Sequence, residues 1–239
     1  MRSLVHKTCL QYLKEGDNIL ELNAGTGVDA VFLAGHGMNI HATDISVEMV
    51  KVIRSKIGSG DLNEKVTTEV LSFDEINKVT RGPFEGVFSN FGGLNCINDF
   101  SKLSADLSSK LKPRGLFIAV VMNKFCPWEI FYYLLRFDPK NAFRRFNKNG
   151  IMAELNGEKV KTFYYSPAEF GKKFTQQFEI LKIKTLAYYT PPPYLTGLYM
   201  RFKPIVKLLM LLDEVVMGIF PFNRLGDHFL VVMKKRGYE

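Results

Sequence analysis

The residues best placed to do chemistry lie near the start of the chain, where Ile19-Leu20-Glu21-Leu22 runs into Asn23-Ala24-Gly25-Thr26-Gly27-Val28-Asp29-Ala30. An apolar strand, a glycine-containing turn and the first turn of a helix follow one another there. Glycines in such a turn let the backbone approach a ligand closely and leave helix N-terminal amides pointing at it. Taken alone, Gly25-Thr26-Gly27-Val28-Asp29-Ala30 satisfies the G-x-G-x-x-A pattern of dinucleotide sites, with an acid, Asp44, at the end of the next strand. Glu21 departs from that pattern. It stands four residues before Gly25, inside the strand end, where a dinucleotide fingerprint has an apolar residue leading into the first glycine.

With Glu21 in place, the segment resembles motif I of the class I S-adenosylmethionine-dependent methyltransferases, in the form E-L-x-x-G-T-G. The resemblance covers most of the chain. Ala42-Thr43-Asp44-Ile45-Ser46 matches the second-strand motif, Phe84-Glu85-Gly86-Val87-Phe88-Ser89-Asn90 the fourth-strand motif, and Leu111-Lys112-Pro113-Arg114-Gly115-Leu116 the turn into the fifth strand. Four motifs in order at normal spacing are far more specific than one glycine loop. The resemblance implies S-adenosylmethionine as cofactor and S-adenosylhomocysteine as product. It places Gly25, Thr26 and Gly27, with Asn23 and Ala24 of the same turn, along the amino-acid part of the cofactor. Glu21 would lie near its ammonium and Asp29 at the start of the following helix. Asp44 would accept the ribose hydroxyls, which suits a carboxylate facing two adjacent donors. Ile45 and Met49 would pack on the adenine, bordered by Ser72, Phe73 and Asp74, while Asn90, Phe91 and Gly92 would sit beside the sulfonium and the methyl group. Asp74 carries a second reading as a helix cap. One departure is visible, since the first glycine of the usual E-x-G-x-G-x-G is Asn23. Asn is the side chain that, after Gly, best tolerates positive φ, so the turn survives.

The acceptor is less legible than the donor. Methyl transfer from a sulfonium is an in-line displacement whose barrier falls mainly through alignment, so no fixed catalytic constellation is required. The fourth strand ends Ser89-Asn90-Phe91-Gly92 rather than Asn-Pro-Pro-Tyr, so the usual apparatus for methylating adenine or a glutamine amide is missing. No compact Asp/Asn/His set suggests a magnesium site, and no metal is expected. In open α/β sheets ligands bind beyond the carboxyl ends of the strands. That singles out Asn95 in the loop after the fourth strand, then Trp128, Tyr164 and Tyr165 as walls of an acceptor site, and Arg144 and Arg145 for an anionic group. Core packing is the competing reading for the aromatics, and a solvated face for the arginines. His228, entering the last strand at the same edge, is the one histidine nominated as a general base, with a structural hydrogen-bonded role as its alternative. His6, His36 and His41 have no recognisable company.

The elements that must position these residues follow from the alternation of short apolar runs with helical segments, the pattern of βα units and a parallel sheet. Strands are expected at 18–22, 39–43, 65–71, 86–90 and 115–122, with helices at 28–34, from a Ser46 cap to about 58, and at 100–111. After residue 122 an aromatic-rich insertion interrupts the beat. Within it Asn156-Gly157 separates 151–155 from 159–165, a strong signal for a hairpin with a type I′ turn. A helix from 167 to about 176, a strand at 178–189, a second insertion opened by Pro191-Pro192-Pro193, and a last strand at 229–234 complete the chain. The expected fold is α/β, a doubly wound and mostly parallel seven-stranded sheet with an antiparallel last strand. A β-hairpin insertion and a helical insertion cover its active-site edge. The chain reads as a single domain over 1–239: a cofactor-binding core at 1–122, an insertion at 123–166, a core helix and strand at 167–190, a helical cover at 191–226 and the last strand at 227–239. Only about 18 residues precede the first strand, so a cofactor lid would come from the insertions unless a piece is lacking.

Composition bounds the remaining possibilities. A chain of 239 residues, 46% hydrophobic and 23% charged, buries the core of one globular domain, which excludes a disordered or fibrous chain. The first fifteen residues carry Arg2, Lys7, Lys14 and Glu15 without a continuous apolar run, so no secretory signal is expected. Cys9, Cys96 and Cys126 are an odd number without a Cys-x-x-Cys pair, against a disulfide scaffold or a zinc site, and a cytoplasmic protein is expected. The net charge of +8 is spread along the chain and comes with no nucleic-acid motif. The expected partner is therefore a small, fairly apolar acceptor metabolite, with its oxygen, nitrogen or carbon acceptor atom and the oligomeric state left open. The segment 194–222 is first a helical pocket cover and second a surface for peripheral membrane contact, flanked by Arg201, Lys203 and Lys207. Alternatives are an RNA or protein acceptor, a non-catalytic cofactor-binding protein, and a nicotinamide oxidoreductase. The last would rest on Tyr199-Met200-Arg201-Phe202-Lys203, a Tyr-x-x-x-Lys match that lacks an upstream serine.

Overall fold

The strand β5 (Leu111–Met122) shows how the sheet is built, because its side chains are buried on both faces from Phe117 to Val121. Successive residues point to opposite faces. Phe117, Ala119 and Val121 belong to one apolar cluster and Ile118 and Val120 to another. A strand buried on both sides needs helices on both sides, as a parallel α/β sheet provides. A computed structural model, which describes residues 1–58, 60–155, 158–192 and 200–237, shows that arrangement.

Seven strands form the sheet in the order β3-β2-β1-β4-β5-β9-β8, with β1 (Asn18–Leu22), β2 (Asn39–Asp44), β3 (Val66–Val70), β4 (Phe84–Ser89) and β5 mutually parallel. β9 (His228–Lys235) runs antiparallel between β5 and β8 (Phe178–Leu186), with Met122 opposite His228 and Leu186 opposite His228 on the other side. The expected fold class is the observed one. Helices α1 (Arg2–Tyr12), α2 (Val28–Gly35) and α3 (Val47–Ile57) supply Val5, Leu33 and Ile53 to one face, while α5 (Ser101–Lys110) and α8 (Pro167–Lys172) supply Leu107 and Phe170 to the other. The short α4 (Asp61–Lys65) leads into β3. The insertion after β5 contains α6 (Pro127–Leu134), α7 (Pro139–Ala142) and the antiparallel pair β6 (Ile151–Leu155) and β7 (Glu158–Thr162). Its turn, Asn156-Gly157, lies outside the described residues. The second insertion carries α9 (Lys203–Val216).

Boundaries shift where local packing overrides the sequence signal. β5 starts four residues before Gly115, because Leu111 pairs with Phe84 ahead of a register shift and Arg114 takes φ 62°. β8 ends at Leu186 rather than 189, where Ala187 turns the chain with φ 57°. Helix α1 was not expected. Its buried residues, Leu4, Val5, Thr8 and Cys9, recur at helical spacing. Ser46 caps α3 as expected, its hydroxyl accepting from the Met49 amide at 3.2 Å. Ser72, not Asp74, caps the short 3₁₀ turn Phe73–Lys78.

The motif glycines differ in what surrounds them. Gly25 and Gly27 both have left-handed backbone, at φ 55° and 71°, but a Cβ on Gly27 would lie 2.8 Å from Ile53 Cγ1 whereas one on Gly25 meets nothing within 4 Å. Gly27→Ala should therefore cost about 1–3 kcal/mol more than Gly25→Ala, since both share the left-handed penalty and only the first adds overpacking. Equal denaturant midpoints for the two variants would contradict this.

Candidate active site

The carboxyl ends of β1, β2 and β4 bring three loops together. Asp44, nearly buried at the end of β2, accepts from the Gly25 amide through Oδ2 at 2.8 Å and from the Ser46 amide through Oδ1 at 2.9 Å. Each oxygen keeps further acceptor capacity. Ile45 beside it is 71% exposed, Met49 and Phe73 are half-buried and Asp74 is exposed. Ala24 is buried and Thr26 exposed on the turn between β1 and α2. Asn23 has φ 46°, and its side chain is clasped by the fourth-strand loop. Its Nδ2 donates to the Asn90 carbonyl at 2.7 Å, and the Ser89 hydroxyl donates to its Oδ1. A Cβ on Gly93 would stand 2.4 Å from Asn23 Cγ. The side chain that replaces the usual motif glycine thus fits because position 93 has none.

Glu21 is 1% exposed, and its Oε2 has no hydrogen-bond partner among the described residues. Burial, reinforced by the nearby charge of Asp29 and opposed by Arg2, pushes its carboxyl well above the ordinary range. Asp29, expected beside the cofactor, is instead held by protein groups. His6 Nε2 lies 2.6 Å from Oδ1, Asn90 Nδ2 donates to Oδ2 at 2.9 Å, and Arg2 approaches Oδ2 at 3.6 Å. Asn90 is likewise committed, since its Oδ1 also accepts from the Phe91 amide. Phe91 and Gly92 take φ 46° and 87°, and the Arg2 guanidinium sits 4.9 Å from the Phe91 ring centroid. Helix α1 therefore reaches the site through Arg2 and His6, two residues not singled out from sequence. The His6 ring stacks on Phe32 at 3.7 Å.

Several residues expected on the acceptor side have other work. Asn95, fully buried, donates through Nδ2 to the carbonyls of Met122 and Phe163 and accepts from the Met122 amide, so it clamps β5 to the chain leaving the hairpin. Tyr165 is core, its hydroxyl donating to the Ile97 carbonyl and its ring packed edge-on against Phe100. Trp128 is half-buried and donates its indole N–H to the Tyr189 carbonyl. The arginines form neither an anion site nor a solvated face. Arg145, 4% exposed, spends its guanidinium on Glu129 Oε2, Asp227 Oδ1 and the carbonyls of Asn123 and Asp227. Arg144 donates to Glu129 Oε1 at 2.6 Å. Tyr164, also buried, lies under the Arg145 guanidinium at 4.9 Å. The far side of this cluster is His228, whose Nδ1 is 3.0 Å from Asp227 Oδ2 and whose ring meets Phe91 edge-on at 5.9 Å. Burial works against the Asp227 charge, yet His228 and Arg145 hold its carboxyl below the usual carboxylate range.

Residues 19–115 match the family model described as a methyltransferase domain. Over 187 residues the chain is 29% identical to an uncharacterised protein of Methanocaldococcus jannaschii, covering 76% of this chain and 69% of that one. It is 33% identical to a demethylmenaquinone methyltransferase of Clavibacter sepedonicus over 102 residues, 42% of this chain and 39% of that enzyme. A crystal structure of a Listeria monocytogenes protein described as an S-adenosylmethionine-dependent methyltransferase superposes with a TM-score of 0.65 at 17% identity, covering 99% of both chains. Residues 19–115 are thus similar to a methyltransferase domain, and the chain as a whole shares the fold of S-adenosylmethionine-dependent methyltransferases.

The residues of the site fit S-adenosylmethionine. An orphaned buried carboxyl at Glu21 suits a ligand carrying an ammonium and a sulfonium. The turn at Gly25 opens on space, and Asp44 retains acceptor capacity for paired hydroxyls. A raised carboxyl also has a stability signature. Glu21 holds its proton longer in the folded state, so its contribution is complete below its unfolded pKa near 4.3. That contribution is lost as pH rises toward the folded value, at up to about 1.4 kcal/mol per pH unit. Glu21→Gln should accordingly melt higher than the wild type at pH 8 and not at pH 4. An equal difference at both would be contrary. Arg145→Met should destabilise by about 3–5 kcal/mol by leaving buried carboxylates short of their partner, and a loss under 1 kcal/mol in urea unfolding would refute the network's importance.

Proposed function

We propose that this methyltransferase passes the methyl group of S-adenosylmethionine to an oxygen or nitrogen of a small, uncharged and largely apolar acceptor, with His228 taking the acceptor's proton. The observation that carries the reading is the Asp227–His228 pair at the carboxyl edge of the sheet, beside Phe91 of the loop that follows β4. When bound, the cofactor supplies an electrophilic methyl group on a sulfonium. Gly25, Thr26, Gly27 and the backbone of Asn23 and Ala24 bind its amino-acid part. Glu21 would face the ammonium, Asp44 would receive the ribose hydroxyls, and Ile45 and Met49 would cover the adenine. Phe91 and Gly92 hold the loop beside the methyl group. A proton on His228 Nδ1 facing Asp227 leaves Nε2 as the basic nitrogen, and the carboxylate steadies the imidazolium once the acceptor's proton has moved.

The commitment of Arg145 to Glu129 and Asp227 and of Arg144 to Glu129 supports an uncharged acceptor, since neither arginine is left to clamp an anionic substrate. Half-buried Trp128 offers aromatic surface there.

Calorimetric titration tests the donor half. S-adenosylmethionine and S-adenosylhomocysteine should bind, NAD should not, and Asp44→Ala should weaken the first two at least about tenfold, as expected for a lost charge-assisted contact. NAD binding, or affinity indifferent to Asp44→Ala, would overturn it. For the acceptor half, transfer of labelled methyl to demethylmenaquinone and to a panel of neutral phenols and quinols should fall about 10²–10⁴-fold in His228→Ala at unchanged cofactor affinity. A rate that ignores this substitution sinks the assignment of His228.

A further inference from the structure

Helix α9 presents apolar side chains outward. Ile205, Leu208, Leu211, Leu212 and Val215 are each 41–68% exposed and follow one another at helical spacing along one side, while the buried residues of the helix are Val206 and Asp213. An ordinary surface helix has the opposite polarity. Of the two acids of α9, Asp213 is turned inward and exposed Glu214 is paired with a lysine of α1. Asp213 accepts from the backbone amides of Tyr188, Tyr189 and Thr190, and Glu214 lies 3.8 Å from Lys7. Among the described residues, the charges of α9 without an ion-pair partner are cations. Lys203 and Lys207 are exposed and form no ion pair among the described residues, and Arg201 and Arg224 lie over the rings of exposed Phe202 and Phe220 within 5.5 Å.

We infer that α9 docks the protein on an anionic lipid surface, its apolar stripe sunk at the headgroup boundary and its cations among the phosphates. The charge decides between occupants. A second copy would bring the same basic rim and a net charge of +8 against its like, whereas an anionic bilayer complements both the stripe and the rim. The helix is 14 residues long, enough to lie in an interface, and no helix among the described residues is long and apolar enough to cross a membrane. The placement also serves the proposed chemistry. Asp213 pins residues 188–190, whose Tyr189 carbonyl receives the Trp128 indole, and β8 ends there with Leu186 opposite His228. Docking through α9 therefore brings the acceptor edge to the lipid, where an apolar acceptor dissolves. This last step rests on the proposed acceptor class, while the docking itself does not.

Co-sedimentation with phosphatidylcholine vesicles, with and without phosphatidylglycerol, tests it on the whole chain and without cofactor or acceptor. Binding is expected to be about tenfold or more tighter to the anionic vesicles, to weaken as salt is raised, and to be lost in Leu208→Glu/Leu212→Glu with the melting temperature kept. Lys203→Glu/Lys207→Glu should weaken it without touching the stripe. No vesicle binding, binding indifferent to both double variants, or a concentration-dependent dimer that Leu208→Glu/Leu212→Glu splits would overturn the inference. A negative result here leaves the methyl-transfer reading standing, because cofactor titration tests that separately.

Discussion

One buried arginine ties the acceptor side of the molecule together. Arg145 sits in the insertion after β5, yet its guanidinium bonds Glu129 of α6, the Asn123 carbonyl just past β5, and both the carboxylate and the carbonyl of Asp227 just before β9. A buried guanidinium with two carboxylates is tolerable only when its donors are matched, and here they are. The consequence is geometric. Asp227 is fixed, Asp227 fixes His228, and the insertion cannot move away from the sheet edge without exposing an unpaired charge.

The donor side obeys the opposite logic, with one buried group left unmatched. Asp29 is surrounded by His6, Arg2 and Asn90, and Asp44 by backbone amides, so these carboxylates are settled before any ligand arrives. Glu21 is not. Its Oε2 is buried without a partner among the described residues, and holding the carboxyl there costs stability that a cationic ligand would return. Local departures from foldability of this kind collect where a protein binds something.

How much of this was legible in the sequence depends on how local the signal was. β1 was readable to the residue, as was the Ser46 cap, because strand periodicity, glycine turns and caps are nearest-neighbour properties. The strand, turn and helix around Gly25 were readable for the same reason. The acceptor side was not. An Arg-Arg doublet looks like solvated charge until Glu129 and Asp227, far away in sequence, close on it. Asn95 looks like a loop amide until it is seen clamping Met122 and Phe163. Tyr165 carries nothing in its sequence context to separate a pocket wall from the core it joins. Helix α1 could have been found from the spacing of Leu4, Val5 and Cys9, and with it the reach of Arg2 and His6 toward Asp29. The compensation of Asn23 by Gly93 needed the structure, since it pairs positions on different loops.

The claim on which the account turns is that the orphaned carboxyl of Glu21 is kept for the cofactor's ammonium. The most direct measurement is titration of S-adenosylhomocysteine into the protein at neutral pH in buffers of different ionisation enthalpy, which counts protons exchanged on binding. The product carries the ammonium without the sulfonium, so it isolates the group in question. The account predicts that Glu21→Gln weakens the affinity and removes any proton release that accompanies binding. Affinity unchanged in Glu21→Gln, or proton release that persists in it, would contradict it.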